Sequence, residues 1–113
     1  MTQRSAPVRL EVSVNGEVRC VGGVGDFGVL SAIVGWVRRH PDRIHPDVRS
    51  DSEFDEAEML KERIDVQFGG LDSRTDRHVH WLAECLKPGD VVSIRILAEG
   101  EYDDPQEGPP VRQ

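Results

Sequence analysis

The stretch Cys20–Trp36, "CVGGVGDFGVLSAIVGW", decides how this chain is read. It joins a glycine-rich turn to the longest apolar-rich run, Val29 to Val37. Residues Phe27 to Arg39 predict a helix. On a helical wheel Phe27, Val29, Leu30, Ala32, Ile33, Val34, Trp36 and Val37 fill a wide apolar arc. Gly28, Ser31, Gly35, Arg38 and Arg39 occupy the narrow remainder. A helix apolar over more than half its circumference needs cover on more than one side. The small Gly28, Ser31 and Gly35 strip lets another backbone come close, from the same domain or from a second copy.

Upstream, "VRLEVSV" alternates, with Val8, Leu10, Val12 and Val14 on one face, as a half-buried strand does. Asn15-Gly16 then predicts a tight hairpin, because both residues tolerate positive φ. "EVRCV" is the return strand. Downstream, Pro41 and Pro46 end the helix. A long acidic loop over 40–61 follows, with a short helix expected from about Glu53 to Arg63, capped by Ser52. "RIDVQFGG" alternates through Ile64, Val66 and Phe68 as a strand. "LDSRTDRHVHWLAECLK" predicts a second helix, capped by Ser73 and striped by Val79, Leu82, Ala83 and Leu86. Pro88-Gly89-Asp90 is a turn, and "VVSIRILAE" is a final strand with Val92, Ile94 and Ile96 on one face.

The order ββαβαβ predicts an α+β fold, one four-stranded sheet with two helices packed on one face; a β-grasp-like arrangement is the runner-up. Residues 7–98 form the single domain. Residues 1–6 and the acidic, proline-containing stretch 99–113 are expected to be disordered. "VGGVGD" before the first helix resembles "FGGLDS" before the second, which suggests a repeated strand–glycine–helix corner.

The 113 residues suit one domain with a core of its own. The net charge of −7 argues against a phosphate-tracking nucleic-acid partner and permits a basic protein partner. The first ten residues contain no apolar segment of a signal peptide, and Val29–Val37 is about half a membrane span, so a cytoplasmic protein without membrane contact is expected. Cys20 and Cys85 form no CxxC pattern and read as free thiols.

Gly23-x-Gly25-x-x-Gly28 has the glycine spacing that cradles a dinucleotide pyrophosphate. The context differs. The strand before it is a hairpin arm, and a proline-rich loop follows where a parallel strand belongs. Asp26 would cap the helix and place its own negative charge where the phosphate would sit. His78 and His80 are two apart on the expected helix and face different ways. The run from Asp51 to Glu58 lacks EF-hand spacing. No catalytic residue, metal ligand or cofactor is assigned.

Two resemblances follow. "WVRRHPDR", with His40-Pro41-Asp42 echoed by His45-Pro46-Asp47, resembles the HPD loop of J-domain co-chaperones, which would imply docking to an Hsp70 partner. A J-domain is all-helical, whereas a β-hairpin precedes this loop. "GGLDSRTDRHVHWLAECLKPGD" is similar to small bacterial proteins sharing GGLDS, a His-x-x-Trp-Leu element and an L-K-x-G-D turn. No activity attaches to that group. The resemblance implies that Gly69, Gly70, Leu71, Asp72 and Ser73 form a set structural turn.

These readings favour a small, non-catalytic protein-interaction domain that self-associates through helix 27–39. Two alternatives stand beside it. One is a domain that binds a small ligand or nucleotide phosphate, enzymatic or not, through the glycine loops at the two helix N-termini. The other is an acidic immunity- or inhibitor-like protein for a basic partner. The candidate ligand or interface residues are Gly23, Gly25, Asp26, Gly28, Gly35, Trp36, Gly70, Asp72 and Ser73.

Overall fold

The run Gly28–Val37 is a strand, not a helix. The computed structural model describes residues 6–107. Its strands are β1 (Arg9–Val14), β2 (Glu17–Gly22), β3 (Gly28–Val37), β4 (Arg63–Asp72), β5 (Arg77–Cys85), β6 (Val92–Leu97) and β7 (Gln106–Glu107). Between β3 and β4 lie a 3-10 turn at Pro41–Arg43 and two short helices, α1 (Pro46–Arg49) and α2 (Glu56–Leu60). The strands form two antiparallel sheets, in the orders β2-β1-β6 and β3-β4-β5-β7. The expected α+β fold, with one four-stranded sheet in the order ββαβαβ and two helices on one face, is therefore corrected to two sheets packed face to face.

Both misread helices have a physical reason. β3 is apolar on both faces, so the two-residue alternation of a strand is invisible in it. Its Val29, Ile33, Val34 and Val37 are β-branched, which favours extended backbone. A ten-residue ladder with β4, from Gly28↔Asp72 to Val37↔Arg63, decides the outcome. The second expected helix is a turn followed by β5. Asp72 Oδ1 accepts from the Arg74 N–H at 3.0 Å and Asp76 sits at φ 57°, so these residues turn the chain of a hairpin. The β4–β5 register then steps over Trp81, between Phe68↔Leu82 and Gly69↔His80. That bulge breaks the alternation of β5.

The first hairpin forms where Asn15-Gly16 places it, with φ values of 53° and 81°. Its tip is tied to the turn before β6. Asn15 N–H donates to Val91 O at 2.8 Å, Val91 N–H to Asn15 Oδ1 at 2.9 Å, and Asn15 Nδ2 to Asp90 Oδ1 at 3.0 Å. The core joins Val12 and Cys20 of one sheet to Val66 and Phe68 of the other, with Leu10, Leu30, Ala32, Trp81, Leu82 and Val92 packed around them. β2 lies against β5, and the core sets β1 over β4. The strand orders then place β6 over β3.

Residues 1–5 and 108–113 of the expected disordered ends lie outside the described residues. Part of the stretch expected to be a free tail is held instead. Asp103 N–H donates to Val21 O at 2.9 Å, and β7 pairs with Val79 and His80 of β5. Among the described residues, no helix is long and apolar enough to cross a membrane.

Candidate interaction surface

The structure brings most of the candidate glycine and acid residues to one corner, but no helix starts there. Gly28 pairs with Asp72, and Ser73 N–H donates to Phe27 O at 3.1 Å. A cavity of about 520 Å3 at this corner is lined by Gly25, Asp26, Phe27, Asp72, Arg74 and Tyr102. The expected caps are corrected accordingly: neither Asp26 nor Ser73 caps a helix. Some of the backbone donors at and beside this corner are already used. Ser73 N–H serves Phe27, Arg74 N–H serves Asp72, and Val21 N–H serves Asp103 Oδ2 at 2.9 Å. Two carboxylates, Asp26 and Asp72, share the wall with one arginine, Arg74. Gly25 takes φ 78° and turns the chain between the two sheets. Gly23 is small for a different reason, since a Cβ there would lie 2.6 Å from the Tyr102 ring. Gly70 lies within β4 opposite Leu30, and Gly35 within β3 opposite Asp65.

Bulges and the C-terminal segment close one side of the sandwich. The β1–β2 register steps over Arg19, between Val12↔Cys20 and Ser13↔Val18. Arg19 Nε reaches across to Glu84 Oε1 of β5 at 2.8 Å, and its Nη1 to Glu17 Oε2 at 3.0 Å. These bonds hold the guanidinium pKa above its ordinary value. Trp81, the residue stepped over in β5, stacks on Phe68 with centroids 5.1 Å apart and donates Nε1–H to Asp103 O at 2.8 Å. Asp103 thus bonds β2 through its N–H and carboxylate and β5 through its carbonyl. His80, buried, donates from Nε2 to Gln106 Oε1 at 3.1 Å.

The opposite side is open. Val12 faces the core, so its cross-strand neighbour Ile94 shares that face, and Ile96 does so beside Leu10. Yet Ile94 is 47% and Ile96 72% exposed. On β3 the same face carries Leu30, Ala32, Val34 and Trp36. The first two pack on the core, while Val34 is 54% and Trp36 58% exposed. Arg38 lies 5.2 Å from the Trp36 ring centroid and 3.6 Å from Glu62. β3 pairs only with β4, so its other edge has no strand partner among the described residues. Its outer face is apolar too: Val29 and Ile33, with Leu71 of β4 and His78 and His80 of β5, line a trough of about 650 Å3. Trp36 and Gly35 thus belong to this open side and not to the corner.

The remaining sequence candidates serve local structure. His40 Nδ1 accepts from Asp42 N–H and His45 Nδ1 from Asp47 N–H, both at 3.1 Å. Each HPD tripeptide is a cap on one short helical turn, and a strand precedes the first, so the J-domain arrangement is not formed. The acidic loop folds on its arginines, with Arg49 3.6 Å from Glu56 and Arg63 3.7 Å from Glu58. The short helix expected from about Glu53 begins at Glu56, capped by Asp55 and not Ser52. Burial, reinforced by Asp103 and Glu84, pushes the Cys20 thiol up to about 11, which keeps it protonated and weakly nucleophilic at neutral pH. Among the described residues no group of three His, Cys, Asp or Glu side chains could hold a metal.

Sequence reasoning missed Ile94, Ile96, Tyr102 and Asp103. The alternation of "VVSIRIL" does put Ile94 and Ile96 on one face, but nothing in it tells that their cover is missing. Tyr102, the single tyrosine of the chain, was the available signal that the acidic segment is anchored. Comparison with protein-family models, curated proteins and solved structures finds no match.

Proposed function

We propose that this chain is a non-catalytic protein-interaction domain whose binding surface is the open side of the sandwich, the β3 edge with the inner faces of β3 and β6. One observation carries the reading: Val34, Trp36, Ile94 and Ile96 face inward and remain about half exposed or more. An apolar patch of this kind beside an unpaired strand edge marks a protein contact, because a strand added there satisfies backbone groups and covers side chains together. The glycine corner supports a ligand site less well, since no helix starts there and Ser73 N–H and Arg74 N–H are already bonded.

The test is site-specific photocrosslinking in cells. A photoreactive residue at Val34 or Ile96 is expected to give protein adducts, and one at Val18, exposed on the other sheet edge, is expected to give none. Absence of protein adducts from both open-side positions overturns the reading.

A further inference from the structure

We infer that the occupant of the open side is a second copy of this chain, joined by antiparallel pairing of β3 with β3 about a twofold axis at Ala32. This rests on the interaction reading above and names its partner.

The register follows from side-chain size. Opposed residues on antiparallel strands share a face. An axis at Ala32 sets Leu30 against Val34, Ser31 against Ile33, Val29 against Gly35, and Gly28 against Trp36. Apart from the Leu30–Val34 and Phe27–Val37 pairs, each large side chain meets a small one. Trp36 covers the glycine at the end of the partner strand, a recognised way to stabilise edge glycines.

Charge selects the same register. No residue from Gly28 to Val37 is charged, and Asp26 and Arg38 are the first charges on either side. Pairing about Ala32 sets Arg38 beside Asp26 of the other copy at both ends. A shift of two residues in either direction separates them. Two chains of net charge −7 repel at a distance, so a charge-free strand bounded by opposite charges is the surface on which they can meet.

Exposure and closure agree. The inward-facing Val34, Trp36, Ile94 and Ile96 are 47–72% exposed, apolar surface beside the seam that a second copy covers. A twofold axis normal to the sheet keeps both three-stranded sheets on one face, so Ile94 and Ile96 of each copy face the seam. The pairing consumes both β3 edges and ends the eight-stranded sheet on the two-residue β7 at each side. Closed symmetry and short terminal strands prevent further growth.

The experiment is light scattering after size exclusion across the micromolar range, on the whole chain. The expected mass is twice 12.6 kDa. Ile33→Lys is expected to halve it with an unchanged far-ultraviolet circular dichroism spectrum. Arg38→Asp is expected to raise the dimer Kd about tenfold or more, and the exchange Asp26→Arg with Arg38→Asp to restore it to within about threefold. Should Ile33→Lys misfold, amide exchange in β3 that slows with rising concentration of the unmodified chain supports the same pairing. A mass of 12.6 kDa at every concentration overturns the inference, as does a dimer indifferent to Ile33→Lys or to the charge exchange. A monomer whose open side still crosslinks to another protein overturns this inference and leaves the interaction reading standing. A chain that does neither overturns both.

Discussion

Val34 and Val66 stand opposite each other on neighbouring strands and share a face, yet Val66 is fully buried while Val34 is 54% exposed. The residue type, the sheet and the side are the same. The difference is the cover: β1 lies over Val66, and β6 leaves Val34 open.

That contrast has an energetic consequence in the dilute monomer. Val66→Ala removes buried methyl groups and leaves a void, and is expected to cost about 2 kcal/mol. Val34→Ala is expected to cost less than about 0.5 kcal/mol, because its methyl groups are already half in water. Urea unfolding of both variants under dissociating conditions measures the pair. Equal losses would show that β3 is covered after all.

Asp103 is the fastening of the closed side. Asp103→Ala removes the acceptor of the Val21 N–H and is expected to lower stability by about 1 kcal/mol. Since its carbonyl also holds Trp81 Nε1, Asp103→Pro, which in addition removes the N–H that donates to Val21 O, is expected to do more and to loosen the segment. Trp81 emission, read in a Trp36→Phe background, should shift to longer wavelength. An unchanged spectrum in both variants would mean the segment does not cover β2 and β5 in solution.

Asp90 links the hairpin tip to the last turn and sets an acid limb. Its carboxylate accepts from Asn15 Nδ2 and from Lys87 N–H, which hold its pKa below the ordinary value. The unfolded chain therefore binds more protons than the folded one as pH falls. The contribution is fully present above the unfolded carboxylate pKa of about 3.9 and is lost as pH drops through the lower folded value. Asp90→Ala should be less stable than wild type at neutral pH, with the gap narrowing in acid. A gap independent of pH would contradict the assignment.

The two thiols should separate cleanly. Cys85 is exposed, whereas Cys20 is buried and its thiol is pushed up to about 11. Iodoacetamide at mildly alkaline pH is expected to modify Cys85 alone, with Cys20 reacting only in denaturant. Mass spectrometry of timed samples reads this directly, and early modification of Cys20 would place β2 outside the core.

Much of the local structure was legible in the residues. The β1–β2 hairpin, β4 and β6 followed from alternation and from Asn15-Gly16, because each of these strands alternates apolar and polar residues along its length. The corner was not legible: the residues suggested two matching helix starts behind Gly23 and Gly70, whereas Gly23 makes room for a ring, Gly25 makes a turn and Gly70 lies inside β4. The fate of Gly28–Val37 was not legible, because a segment apolar on every side carries no period and fits helix and strand alike. Only the ladder to β4 made it a strand, through hydrogen bonds whose partners lie 26 to 44 residues away. The bulge at Trp81 hid β5 in the same manner. By itself the sequence determined which residues must leave water. The tertiary structure decided where they go, because the cover for an apolar face is supplied by distant strands, and on β3 and β6 this chain's own strands run out.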